Sequence, residues 1–122
     1  MADQIGHLPR GPARTLRALG WSLQGLRAAW LHESSFRLEA VLAVILIPTA
    51  LLLGETGLES AVMIFSVLMV LALELLNSAI EAVIERYGAE YHELAGRAKD
   101  MGSAAVFMGL IGAAAVWLLI LL

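Results

Sequence analysis

Glu74 stands inside an otherwise apolar run, followed by Asn77, Ser78, Glu81 and Glu85. Offsets of three, four, seven and eleven residues place a carboxylate, an amide, a hydroxyl and two more carboxylates along one helical face. A carboxylate within a membrane span costs about 2.5–3.5 kcal/mol on insertion scales, so it faces a polar interior and marks function. Asn77 and Ser78 taken alone read as hydrogen-bonding groups that fix helix packing. Glu74 beside Glu81 reads differently, because Glu81 lies two turns, about 10 Å, further along the axis. A buried carboxylate can take a proton from a hydroxyl as a general base. One nearer the interface can ligate magnesium.

Other charged residues fall at the same end of the apolar segments. Glu33, Arg37 and Glu39 stand at the start of the first one, and Glu33 can join Glu81 as a second oxygen ligand. Between the second and third, Glu85 to Asp100 reads as a polar loop in which Gly96 supplies flexibility. Lys99 and Asp100 stand directly before the third segment, where lysine can meet a phosphate and aspartate can orient it or a metal. The chain has no Gly-x-x-x-x-Gly-Lys-Ser/Thr phosphate loop and no kinase-type glycine loop. His32 and His92 lack the spacing of a zinc site. Phosphoryl transfer needs magnesium held by carboxylates, cations on the phosphoryl oxygens and a base for the attacking hydroxyl. All three ingredients are present, yet ion transport can use the same intramembrane glutamate, and residue types alone leave both open.

The elements that position these groups follow from composition. Of 122 residues, 60% are hydrophobic and 16% charged, with a mean hydropathy of +0.81. Soluble domains average about 45–50% apolar and about 25% charged, so this chain is built for a membrane. A net charge of −3 argues against nucleic acid as a partner. The absence of cysteine excludes disulfides, thiolate catalysis and cysteine-ligated metals. Residues 12–32 have an amphipathic pattern: Leu16, Leu19, Leu23, Leu26 and Trp30 share one helical face, and Arg10, Arg14, Arg17 and Gln24 the other. Such a helix suits a bilayer surface. Trp21 falls among the arginines, where it can sit at the headgroups or stack on a nucleotide base.

Apolar segments at about 36–53, 60–84 and 102–122 follow, giving three transmembrane helices and an all-α membrane protein. The first is short and contains Pro48, so it borrows flanking residues. The third offers Ala105, Gly109 and Ala113, with Gly102, Gly112 and Ala114 nearby, and this spacing allows close helix packing. The Gly54–Glu59 link is acidic, whereas Arg14, Arg17, Arg27, Arg86, Arg97 and Lys99 gather on the other side. The positive-inside rule therefore predicts a cytoplasmic N-terminus and an external C-terminus.

The stretch Glu74-Leu-Leu-Asn-Ser-Ala-Ile-Glu81-Ala-Val, then Glu90-Tyr-His-Glu-Leu-Ala-Gly-Arg-Ala-Lys-Asp-Met-Gly-Ser-Ala-Ala-Val106, closely resembles the prokaryotic diacylglycerol kinase family. So does Gly25-Leu-Arg-Ala-Ala-Trp30 with the following Glu33 and Phe36-Arg37. The resemblance runs from about Arg14 to the end of the third span. It implies an inner-membrane lipid kinase that moves the γ-phosphate of ATP to diacylglycerol with Mg²⁺, yielding phosphatidic acid. It further implies a helical homotrimer of three-span subunits, each with an amphipathic surface helix and with active sites shared between neighbours. By motif position it makes Glu74 the catalytic base, Asn77 its support, and Glu33 and Glu81 the magnesium ligands at the nucleotide. Arg14, Trp21, Glu90, Tyr91, His92, Lys99 and Asp100 match nucleotide-contacting positions, and Arg14, Ser103 and Glu74 lipid-contacting ones. A sister branch phosphorylates undecaprenol, and the Lys99–Ala105 motif leans toward diacylglycerol. From another class, a small ion- or proton-translocating protein accounts for Glu74 but leaves Glu85–Asp100 unexplained.

Overall fold

The computed structural model describes residues 10–87 and 92–122, which form four α-helices: α1 (Pro12–His32), α2 (Ser34–Leu53), α3 (Gly57–Arg86) and α4 (Glu93–Leu121). The last three are long and apolar enough to cross a membrane. Each boundary has a local cause. Gly11 precedes α1 at φ 150°, a conformation that favours glycine, and Pro12 occupies the first turn, where a missing N–H costs nothing. Glu33 has extended backbone and separates α1 from α2 by a single residue. α2 continues through Pro48, which leaves the Val44 carbonyl without its helical donor, and Thr49 Oγ1 donates to Ile45 O at 2.7 Å in the next turn. Thr56 caps α3 by accepting the Glu59 N–H at 3.1 Å, while Glu59 Oε1 accepts the Glu55 N–H at 3.0 Å. The acidic Gly54–Glu59 link thus uses one of its charges to close a turn.

α3 is the central element, packed against both α2 and α4, while α1 touches α2 and α3 lightly. Ala43, Ala50, Met63, Val67 and Val70 form the core between the spans, with Met63 and Ala50 fully enclosed. Ser60 Oγ donates to Ala50 O at 2.8 Å, and a side chain on Gly54 would overlap that hydroxyl. Many large apolar side chains stay exposed, Leu16, Leu38, Val44, Phe65, Phe107 and Leu119 among them, as expected for helices whose surroundings are lipid or other helices.

The first span takes in flanking residues and begins at Ser34. One boundary expectation needs correction. The expected loop from Glu85 to Asp100 is shorter, because Glu85 and Arg86 end α3, and α4 begins at Glu93 rather than near 102. Hydropathy marks where a helix leaves hydrocarbon, whereas helical hydrogen bonding continues into the aqueous layer. Lys99, Asp100 and Gly96 are consequently helical residues.

Candidate active site

Glu74 lies on the part of α3 that contacts α2, and only 7% of its surface is exposed. Across from it on α2, the half-buried Glu39 faces the Glu74 carboxyl. Glu39 Oε2 is shielded from solvent and, among the described residues, has no hydrogen-bond partner. Glu33, at the α1–α2 junction, and Glu81 on α3 are near enough for their charges to act on Glu74. Glu39 and Glu74 thus face each other, with Glu33 and Glu81 in electrostatic range of Glu74. Ionised carboxylates are acceptors only, so the cluster calls for a cation or a hydrogen-bond donor between its members.

Asn77 sits between Glu74 and Glu81. Its Nδ2 donates to Glu81 Oε1 over a long 3.4 Å, and its Oδ1 is buried without a partner. α4 supplies the opposite wall. Gly102, the one buried residue of α4, lies against the Asn77 amide, Gly109 lies against Leu73 and Val70, and Trp117 Nε1 donates to Ser66 Oγ at 3.2 Å. These pairs define an antiparallel register. Lys99, one turn from Gly102, falls at the level of Glu81, and Ser103 falls at the level of Asn77. Lys99, Asp100 and Ser103 are all exposed.

The α1–α2 junction is braced by Arg37, whose Nη1 donates to Trp30 O at 2.8 Å and Leu31 O at 3.3 Å. These are terminal carbonyls of α1, which lack helical donors and favour a cation. Glu33 is thereby held at a bend that is tied on both sides: its N–H donates to Ala29 O at 2.9 Å, and its carbonyl accepts the Arg37 N–H at 3.1 Å.

The fold brings together Glu33, Glu74, Asn77 and Glu81 as the sequence predicts. It adds Glu39, which the sequence places at the right membrane face without a role, and Arg37 as the brace. Among the described residues, no hydrogen bond joins Arg14, Trp21, Lys99, Asp100 or Ser103 to the carboxylates. Arg14 and Trp21 are half-buried on α1. His92 caps α4, its Nδ1 accepting the Leu94 N–H at 3.0 Å, which leaves Nε2 for a ligand. Glu90 and Tyr91 lie outside the described residues. Among the described residues, no three acidic or histidine side chains form a ready metal cage. Magnesium is commonly held by one or two carboxylates plus phosphate oxygens and water, so it does not require such a cage.

A family model described as prokaryotic diacylglycerol kinase matches residues 20–121. A diacylglycerol kinase of Haemophilus influenzae is 53% identical over 107 residues, covering 88% of this chain and 91% of its own. One from Escherichia coli K12 is 48% identical over 111 residues, covering 91% of each chain. One from Helicobacter pylori 26695 is 40% identical over 108 residues, 88% of this chain and 84% of its own.

Proposed function

The chain belongs to the prokaryotic diacylglycerol kinase family, and on that footing we propose that it phosphorylates diacylglycerol to phosphatidic acid at the cytoplasmic membrane surface, using ATP and Mg²⁺. The observation that carries this reading is the depth of Glu74 relative to Glu81. Counting along α3 from Gly57, Glu74 lies about 25 Å from the outer turn and Glu81 about 35 Å. A hydrocarbon core is about 30 Å thick, so Glu74 lies just inside the inner boundary and Glu81 just beyond it. A lipid hydroxyl held at the headgroup level reaches the first, and a water-borne nucleotide the second.

In the reaction, the diacylglycerol hydroxyl oxygen attacks the γ-phosphorus in line. The new O–P bond forms as the bond from γ-phosphorus to the bridging oxygen breaks and ADP leaves. The hydroxyl proton passes to the Glu74 carboxylate as general base. Asn77 fixes the Glu81 carboxylate through Nδ2. Glu33 and Glu81 would hold Mg²⁺, which screens the β- and γ-phosphate charge when bound. Lys99, at the level of Glu81, would spread transition-state charge, with Asp100 orienting it. Arg14, Trp21, Glu90, Tyr91 and His92 would contact the nucleotide, and Arg14 and Ser103 the lipid.

The lipid-facing leucines of α1 would lie on the inner surface of the bilayer, with the N-terminus cytoplasmic and the C-terminus outside. We further propose a homotrimer with shared sites, since the residues of α1 and α4 proposed to meet the nucleotide make, among the described residues, no hydrogen bond to the carboxylates of their own subunit. The test is phosphate transfer from γ-labelled ATP, with magnesium, in mixed micelles holding diacylglycerol or undecaprenol. Labelled diacylglycerol supports the reading, label on undecaprenol alone changes the substrate, and no label on either refutes it. Mixed oligomers of Glu74→Gln and Lys99→Ala subunits regain activity if sites are shared; no regain places each site within one subunit.

A further inference from the structure

α4 carries several small residues at helical spacing, but they do not meet the same environment. Gly112 faces open space, and a Cβ on Gly109 would meet Leu73 Cδ1 at 2.6 Å, the end of a flexible side chain that can turn aside. A Cβ on Gly102 would instead overlap Asn77 Oδ1, with Asn77 Cγ at 3.3 Å and Ile80 Cδ1 at 3.7 Å. The amide oxygen it meets is buried and has no hydrogen-bond partner, while the other end of the same amide donates to Glu81 Oε1 at 3.4 Å.

Turning the amide over would set oxygen against the Glu81 carboxylate, two acceptors face to face, so the observed orientation is the one with a bond. In that orientation Oδ1 needs a neighbour with no electronegative atom and no bulk. The bare Cα of glycine provides that, offering a C–H to the oxygen. A side chain at 102 overlaps Oδ1 where the amide now sits, so the amide has to shift or turn, and either change disturbs its bond to Glu81.

The geometry points to Gly102 as a positioning residue for phosphoryl transfer: its missing side chain is the seat of the Asn77 amide, and through that amide it aims the Glu81 carboxylate. The inference rests on the proposed reading of Glu81 as a magnesium ligand. It makes the packing of α4 a determinant of metal affinity. Groups that orient a ligating carboxylate typically contribute about 10- to 100-fold to metal affinity or activity.

The experiment is magnesium titration of lipid phosphorylation by the full-length protein in mixed micelles, comparing Gly102→Ala with Gly109→Ala and Gly112→Ala. Gly102→Ala raises the magnesium concentration for half-maximal rate by at least roughly tenfold, the lower end of the range for lost orienting groups. Gly109→Ala and Gly112→Ala stay within about twofold of the parent, as expected where a neighbour yields or is absent. In an Asn77→Ala background the further change Gly102→Ala adds no shift, since the amide it would displace is gone. Equal damage from Gly102→Ala and Gly109→Ala, or an additive double variant, overturns the inference. Where Gly102→Ala does not assemble, Gly102→Ala/Asn77→Ser recovers the parent's size in detergent, because a shorter side chain removes the overlap; failure to recover also overturns it. The side-chain amide resonances of Asn77 give a readout free of catalysis. They move in Gly102→Ala and not in Gly109→Ala, even if the lipid substrate proves to be another alcohol. An unmoved resonance refutes the seat itself and leaves the proposed activity standing.

Discussion

At the turn between α2 and α3, Ser60 donates to Ala50 O, Thr56 and Glu59 accept backbone N–H groups, and nearly two turns deeper Ser66 links Met63 O to the Trp117 indole. At the other end of these helices Glu39 Oε2 and Asn77 Oδ1 are buried without partners among the described residues, and Glu39 and Glu74 face each other with Glu33 and Glu81 in electrostatic range of Glu74. The same three spans therefore satisfy their polar atoms at one end and leave them unmatched at the other. A protein that sought stability alone would not keep the second arrangement, since an unpaired buried polar group costs about 1–3 kcal/mol. The satisfied end holds the helices in register; the unsatisfied end leaves acceptors that a cation or a hydroxyl donor can meet.

The sharpest way to break this contrast is at its most buried carboxyl. Glu74→Gln keeps shape and removes the base, and turnover drops by about 100- to 10,000-fold, the usual contribution of general base catalysis. Nucleotide binding, followed by isothermal calorimetry, stays near that of the parent. Loss of binding along with turnover would instead give Glu74 a metal or structural role. A smaller effect is expected at Glu81, where Glu81→Gln leaves one neutral acceptor and raises the magnesium requirement by about 10- to 100-fold. A magnesium titration that matches the parent would remove Glu81 from the metal site.

Next comes the junction that carries Glu33. Arg37→Ala removes donors from two α1 carbonyls, a loss of about 1.5–3 kcal/mol for hydrogen bonds to a charged group, less where water replaces them. The bend loosens, and Glu33 shifts relative to Glu81. Magnesium titration of the variant should show a several-fold higher half-saturation point with little change in maximal rate. Arg37→Lys recovers part of it, because both bonds come from the one nitrogen Nη1 and an ammonium also carries donors for two carbonyls, though on a different stem. An equal deficit in both variants would place the role of Arg37 in the reach and shape of the guanidinium rather than in its charge.

How far these features were legible in the sequence depended on their range. The spans were readable as apolar runs, and Glu74, Asn77 and Glu81 as a face, because both are properties of one helix. The inner ends of α3 and α4 were not, since charged residues such as Glu85, Lys99 and Asp100 stop a hydropathy run without stopping a helix. Glu39 and Gly102 belong to a third kind. The first looks like one more charge at the membrane face and the second like one more small residue, and their meaning comes from the neighbour on another helix. Arg37 likewise reads as a surface cation until the single-residue bend at Glu33 brings α1 carbonyls beneath it.

The satisfied end predicts the smallest effect, and it tests the other half of the contrast. Trp117→Phe removes the indole N–H but leaves Ser66 Oγ donating to Met63 O at 2.7 Å, so no buried donor is stranded. Ser66→Ala removes the acceptor and strands the indole donor instead. Hydrogen bonds between membrane helices average about 0.6 kcal/mol in double-mutant cycles, and the coupling between these two substitutions should be near that value. Reversible unfolding in mixed micelles measures it, with the double variant closing the cycle. The maximal rate and the magnesium requirement should both stay at parent levels, because Ser66 lies eight residues, about 12 Å, from Glu74 along α3. A drop in rate with unchanged stability would carry function into the outer half and dissolve the division between the two ends. A loss of stability with unchanged rate is what a register pin, distant from the chemistry, has to give.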